Sequence, residues 1–190
     1  MPLTKLRQLI EQFKKQKDDT PIGLYDTNSR CCAIQEVLSI CTEDLYAFIF
    51  FDEHGESELY DALADERTSR SVANKLNGCK LHILTNDTAR VKTLSFVEKH
   101  IEDGHKNLEL TPIPQRLANE ISNDTLDNEF FLAFPEHLIF IGRYDRANEE
   151  NIERLAEVSA FLNLYDNSFV NTLKKYFSKI KSRADSGEFR

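Results

Sequence analysis

The side chains best suited to chemistry come after the first strongly apolar segment, residues 45–51. Asp52, Glu53 and His54 follow that segment, and an imidazole beside carboxylates can transfer a proton or bind a cation. In α/β proteins ligands collect where parallel strands end, so we expect a site for a small ligand or cation at this point. Its candidate residues are Asp52, His54, Asn86, Asp87 and Asn128. The alternative is that they are helix caps and solvated turns, which also favour Asn and Asp.

A second group of candidates is basic and lies near the C-terminus. The candidate anion-binding side chains are Lys174, Lys175, Lys179 and Lys181, and no acid occurs between Leu173 and Arg183. A basic helix with aromatic neighbours is typical of contact with nucleic acid or an anionic membrane. The alternative is a solvated helix face whose lysines complement the helix dipole.

The sequence contains no motif for a resident metal, a nucleotide or an activated serine. It lacks G-x-S-x-G, a Walker A loop, G-x-G-x-x-G and H-E-x-x-H, so we expect no metal and no cofactor. Its four cysteines are Cys31, Cys32, Cys41 and Cys79. Since no Cys/His group has zinc-site spacing, we expect four reduced thiols. A redox or metal role for the Cys31–Cys32 pair is the alternative.

Charge and apolar content exclude several classes of protein. The 190 residues include 24 basic and 32 acidic side chains, a net charge of -8, which argues against a general DNA coat. Hydrophobic residues make up 41%, with 13 Phe and 6 Tyr, so long disorder is not expected. The sequence has neither an apolar run long enough for a membrane helix nor the apolar stretch of a signal peptide. We therefore expect a cytoplasmic protein.

The first two thirds of the sequence alternate apolar strands with amphipathic helices, which predicts an α/β fold. Helices are predicted over residues 3–17, 30–41, 57–76 (with a break within 65–71) and 88–101, and strands over 45–51, 79–85 and 108–111. The short loops favour a β-α-β-α-β order, with parallel strands and helices on both faces of the sheet. Residues 18–23 contain Pro21 and Gly23 and are predicted to be a connector.

The last third predicts a hairpin, a further strand and a helix. The hairpin strands are residues 130–134 and 137–141, on either side of Pro135 and Glu136, which makes the sheet mixed. A solvated loop over 143–154, a strand over 156–162 and a helix over 168–182 follow. We expect an N-terminal amphipathic helix and connector (1–23), a single α/β domain (24–183) and a flexible tail (184–190).

This C-terminal order is similar to the end of one repeat of the phospholipase D superfamily. There, a hairpin whose second strand ends in Ile-Gly is followed by a strand and a last helix. The matching segments are Phe131–Phe134, His137–Gly142, Val158–Leu162 and Phe169–Ile180, with Leu81–Asp87 matching an earlier strand of the repeat. The resemblance spans roughly residues 28–182 and implies a phospholipase-D-like half.

The catalytic H-x-K-x-x-x-x-D motif of that superfamily is missing. Counting back from Ile141-Gly142, its histidine falls on Asn128, its lysine on Phe130 and its aspartate on Pro135. An amide nitrogen is not a nucleophile, and a phenyl ring supplies no positive charge to a phosphoryl group. Active members also need two repeats at one site, whereas this chain holds one. The resemblance therefore implies the fold and argues against the activity.

We therefore expect a non-catalytic phospholipase-D-like domain that acts as a binding or scaffolding module. It is expected to form a homodimer, because a lone repeat keeps an apolar face to bury, and a protein partner is also compatible with this role. One alternative is a phosphodiesterase or nuclease with relocated catalytic residues around His54. Another is a regulatory protein that contacts nucleic acid through its basic C-terminal helix.

Overall fold

Helices and strands alternate along most of the chain. The structure is a computed structural model that describes residues 1–104, 106–123, 128–142 and 160–186. The helices are α1 (Leu3–Gln16), α2 (Thr27–Ile40), α3 (Glu58–Ala64), α4 (Glu66–Lys75), α5 (Thr88–Val91), α6 (Ser95–Glu102), α7 (Gln115–Asn123) and α8 (Asn167–Asp185). The strands are β1 (Ile22–Leu24), β2 (Leu45–Ile49), β3 (Leu81–Thr85), β4 (Leu108–Pro112), β5 (Glu129–Ala133), β6 (His137–Ile141) and β7 (Ala160–Asn163).

The described strands form one mixed seven-stranded sheet in the order β1-β7-β6-β5-β2-β3-β4. β2, β3 and β4 are parallel, with Leu45 opposite Leu81 and Leu81 opposite Leu108. The hairpin strand β5 runs antiparallel to β2, and β6, β7 and β1 continue the antiparallel half. The predicted α/β class, the β-α-β-α-β start and the C-terminal hairpin, strand and helix are confirmed.

Side chains from both faces of the sheet are buried, which explains the continuous apolar run of β2. One face of β2 presents Leu45, Ala47 and Ile49 to a core shared with α1 to α6. The other presents Phe48 to a smaller, aromatic core that α7 and α8 cover. The prediction of helices on both faces is therefore confirmed.

The prediction of a connector over residues 18–23 is wrong at its C-terminal end. Ile22–Leu24 form β1, which pairs antiparallel with β7 and places Ile22 opposite Leu162. Three residues around a glycine are too short to show a strand period, and their pairing partner lies far along the sequence. Ahead of this strand, α1 buries Leu6 and Ile10 in the larger core, as its apolar stripe predicts.

The helices differ from the predictions in further ways. The helix predicted over 88–101 is two helices, because Leu94 takes an extended backbone between α5 and α6 and buries its side chain. α7 was not predicted, since its buried stripe is only Leu117, Ala118 and Ile121. α8 extends to Asp185, so residues 184–185 of the predicted tail are helical.

Part of the last third of the sequence lies outside the described residues. This includes the predicted loop 143–154, the first four residues of the strand predicted over 156–162, and residues 187–190 of the predicted tail.

A buried histidine begins the second strand of the hairpin. His137 is 4% exposed, and its Nδ1 has no hydrogen-bond partner among the described residues. Its ring meets the ring of Tyr165 edge-on at 5.3 Å between centroids. Burial, with a smaller contribution from the Lys14 ammonium, lowers the pKa of His137 to about 4.

This histidine makes the stability of the fold depend on pH. Because its pKa falls from 6.5 to about 4 on folding, the unfolded chain takes up the proton first as the pH drops. The free energy of unfolding should be at its full value above about pH 6.5. It should fall by about 2 kcal/mol between about pH 7 and about pH 5 from this residue alone.

Urea denaturation of wild type and His137→Phe at both pH values measures this effect. The variant lacks the titrating group and should lose about 2 kcal/mol less than wild type over the same interval. An equal loss in the two proteins would contradict the assignment.

Candidate ligand site at the carboxyl edge of the sheet

The five predicted ligand-binding residues occupy one edge of the sheet. β2 and β3 run parallel and end there, so Asp52, His54, Asn86 and Asp87 follow their last residues. β5 runs antiparallel to β2, with Phe130 opposite Phe48, which places Asn128 at the same edge. We call this region the carboxyl edge. The topology therefore brings the predicted residues together.

The side chains of two of these residues are engaged in shaping the backbone. The Asn86 amide accepts a hydrogen bond from the Phe51 N–H at 2.8 Å and donates one to the Phe51 carbonyl at 2.8 Å, which ties the ends of β2 and β3 together. Asp87 caps α5 by accepting from the Arg90 N–H at 2.9 Å. These are the contacts of a structural clamp and a helix cap.

Asp52 and His54 lie in a tight turn after β2. The Asp52 carboxylate accepts from the His54 N–H at 2.9 Å and from the Glu56 N–H at 2.8 Å. Gly55 has a positive φ of 74°, and a Cβ there would lie 2.8 Å from the Arg90 guanidinium, which donates to the Gly55 carbonyl. The His54 side chain is 65% exposed, with Nε2 3.5 Å from a Glu53 carboxylate oxygen. The turn is thus held by the Asp52 carboxylate and the Arg90 side chain, and it presents the imidazole to solvent.

The dominant polar group at this edge is Glu129, which the sequence predictions missed. It is 1% exposed, and its carboxylate accepts from the Ser57 hydroxyl at 2.5 Å and the Phe50 N–H at 3.2 Å. The N–H groups of Glu58 and Leu59 also donate to it, at 3.0 and 3.3 Å. One feature of the sequence could have indicated this residue: a carboxylate directly precedes the apolar run Phe-Phe-Leu-Ala. A strand that is buried on both faces normally has an apolar residue at such a position.

An arginine from α2 adds positive charge beside this carboxylate network. Arg30 is 5% exposed and forms an ion pair with Glu58, the first residue of α3. Because buried charges are stable only when they are paired and hydrogen-bonded, these contacts fix α2, α3 and β5 against one another. We call Arg30, Ser57, Glu58 and Glu129 the Glu129 cluster.

The Glu129 cluster resembles an anion-binding site that the chain fills with its own carboxylate. Three backbone N–H groups, those of Phe50, Glu58 and Leu59, point with the Ser57 hydroxyl at one negatively charged group. Such a set of donors suits a phosphate or carboxylate oxygen. With Glu129 in place, these donors are occupied.

The position matched to the phospholipase D lysine is part of the aromatic core. The Phe130 ring is 1% exposed and stacks on Phe48 at 5.3 Å between centroids. It also lies 6.5 Å from the ring of Phe177 in α8. The neighbouring Asn128 is half-buried. No cation stands at this position to neutralise a phosphate.

The lysines of α8 divide into two groups. The Lys174 ammonium lies 3.9 Å from the centre of the Phe134 ring and 5.0 Å from that of Tyr46. Lys181 is 2.5 Å from a carboxylate oxygen of Glu109, and this hydrogen bond lowers the pKa of Glu109. Lys175 and Lys179 are exposed. Half of the predicted anion-binding group therefore has partners within the chain.

The thiols are buried and unpaired. Cys31, Cys32, Cys41 and Cys79 form no disulfide with one another. Burial raises the pKa of Cys31 and of Cys41, which disfavours the reactive thiolate. Across the described ranges no three His, Cys, Asp or Glu residues are grouped to hold a metal ion.

The described helices are too short or too polar to cross a membrane, and the main surface groove lies away from the carboxyl edge. None of the helices in the described ranges has the length and apolar content that a bilayer crossing needs. A surface groove of about 800 Å³ runs along α1, and none of its lining residues belongs to the carboxyl edge.

Comparison with known proteins links the chain to solved structures but not to a sequence family. No family model matches the sequence, and no curated protein matches it. TrmBL2, described as an archaeal chromatin protein with a novel mode of DNA binding, superposes with a TM-score of 0.53 at 14% identity, over 93% of this chain and 58% of TrmBL2. NucT from Helicobacter pylori gives a TM-score of 0.48 at 14% identity, over 85% of this chain and 93% of NucT.

These likenesses concern the fold alone. The chain spans 58% of the length of TrmBL2, and the aligned residues are 14% identical. The fold of this chain is thus similar to that of part of TrmBL2.

Replacing the Glu129 carboxylate tests how much the Glu129 cluster contributes to the free energy of unfolding. Glu129→Gln keeps the shape but turns one acceptor into a donor facing N–H groups. The free energy of unfolding should fall by about 2 to 4 kcal/mol in urea denaturation at neutral pH.

Glu102→Gln is the matched control, because Glu102 is exposed at the end of α6. It removes the same charge and should change stability by less than about 0.5 kcal/mol. Similar stabilities for the two variants would show that the buried network contributes little.

Proposed function

We propose that this chain is a non-catalytic domain with the fold of a phospholipase D half, and that it works as a binding or scaffolding module. The order of hairpin, strand and last helix supports the family assignment, as does the parallel start of the sheet. The main support for a non-catalytic role is the Glu129 carboxylate, which occupies the hydrogen-bond donors at the carboxyl edge.

The residues at the motif positions support the same proposal. Phosphodiester cleavage by this superfamily needs a histidine nucleophile and a lysine beside the phosphate. Asn128 and Phe130 stand at those positions, and Phe130 is packed among aromatic rings. A phosphate at this edge would meet the negative charge of Glu129, and the position of the superfamily's lysine is taken by a phenyl ring, so the positive charge that the motif supplies for cleavage is missing.

An enzyme centred on His54 is less well supported. A general base is normally oriented by a second group, such as a carboxylate that accepts from its other ring nitrogen. The nearest carboxylate, that of Glu53, is 3.5 Å from Nε2 and 87% exposed, and Asp52 is engaged with turn N–H groups. Among the described residues no carboxylate orients the His54 ring, and an exposed imidazole without such a partner is a poor catalyst.

The homodimer stays a prediction. Among the described residues the large exposed hydrophobic side chains are Met1, Leu3, Tyr25 and Ile101. They lie at the N-terminus, before α2 and on α6, and so do not come from one element. Light scattering measures the mass of the protein in solution, and its comparison with the monomer mass of 22.0 kDa tests the prediction.

The non-catalytic proposal predicts that the purified protein does not hydrolyse phosphodiesters. Wild type should turn over bis(p-nitrophenyl) phosphate and single-stranded DNA no faster than buffer, with and without added divalent cations. His54→Ala is assayed beside it. Hydrolysis by wild type that disappears in His54→Ala would overturn the proposal and favour an enzyme with relocated catalytic residues.

A further inference from the structure

The solvent face of α8 carries hydrogen-bond donors that the fold does not use. Lys175, Ser178, Lys179 and Ser182 follow the i, i+3, i+4, i+7 spacing that places side chains on one face of a helix. All four are exposed. Within the described part of the chain, their side chains make no hydrogen bond or ion pair. We call these four residues the donor stripe.

The opposite face of the same helix is fully engaged, which separates the stripe from the structural role of α8. Val170, Leu173, Phe177 and Ile180 are buried in the smaller core. Lys174 and Lys181 contact the aromatic rings and Glu109 described above, and Arg183 pairs with Glu120 at 2.6 Å. The charges that hold α8 in place are therefore distinct from those of the donor stripe.

The charge of α8 is unusual for this chain. Acids make up 32 of the 190 residues, about one in six, so a helix of 19 residues would hold about three on average. α8 holds one, Asp185 at its last position, and its five basic residues are Lys174, Lys175, Lys179, Lys181 and Arg183. A strongly basic helix in a protein of net charge -8 marks a surface that attracts an anion.

We propose that the donor stripe binds the phosphate backbone of double-stranded nucleic acid. Lysine ammonium and serine hydroxyl groups are the common donors to backbone phosphates. Seven residues of helix span about 10 Å, which is the length of about three steps of the duplex axis at 3.4 Å per step.

The composition of the stripe selects this partner over others. It has no arginine, asparagine or glutamine to read base edges, so binding is independent of sequence. It has no aromatic side chain on which unpaired bases stack. It also has no apolar residue to insert into a bilayer, which an interfacial helix needs. This function goes beyond the non-catalytic role proposed for the carboxyl edge and does not depend on it.

The test is fluorescence anisotropy of a labelled DNA duplex of about two helical turns, titrated with the full chain over a range of salt concentrations. We expect sequence-independent binding at about 50 mM salt. In the double variant K175Q/K179Q, affinity at that salt should fall about tenfold or more. The slope of log Kobs against log salt should become shallower by about 2, because two phosphate contacts are lost.

The matched control is K92Q/K99Q. Lys92 and Lys99 are also exposed, lie outside α8 and change the net charge by the same amount. This variant should bind as wild type does. The absence of binding at low salt, or an equal loss in the two double variants, would overturn the proposal.

A parallel experiment separates the two sources of phosphate. The chain is sedimented with vesicles of phosphatidylserine and phosphatidylcholine, and we expect it to stay in the supernatant. Vesicle binding without duplex binding would assign the stripe to a membrane and overturn the proposal.

Discussion

The buried carboxylate of Glu129 is the interaction on which the carboxyl edge depends. It accepts hydrogen bonds from the end of β2, from Ser57 and from the first residues of α3, and it does so from the first position of β5. A buried negative charge is tolerated only with such a set of donors, so these elements hold a fixed relation to one another. The same contacts occupy the hydrogen-bond donors that would otherwise bind an external anion at this edge.

A second set of contacts, made by charged side chains of α8, positions this helix. Lys174 lies over the rings of Phe134 and Tyr46, and Lys181 pairs with Glu109 on the edge strand β4. These contacts orient the helix and leave Lys175 and Lys179 facing outward. The fold thus fills the edge where α/β proteins commonly bind ligands and displays an unused set of donors on another surface.

The sequence predicted the elements that have a long or repeated signal. β2 and β5 were predicted from runs of five or more apolar residues, and β3 and β6 from shorter apolar segments. Their parallel or antiparallel pairing followed from loop length. β1 was missed because three residues are too few to show the alternation of a strand. α7 was missed because its three buried residues are too few to show a helical period. The five edge residues were predicted to lie together, and they do, yet the roles of Asn86 and Asp87 as clamp and cap depend on three-dimensional partners. Glu129 was missed for the same reason, since its donors lie about 70 residues away in the sequence.

The most direct test of a closed carboxyl edge is an NMR titration of the wild-type chain with inorganic phosphate. The amide resonances of Phe50, Glu58 and Leu59 report on the N–H groups that Glu129 accepts from. We predict that they stay unchanged up to millimolar phosphate, because the carboxylate already occupies these donors. Saturable shifts of these three amides would contradict the account, since they would show that the edge still binds an external anion.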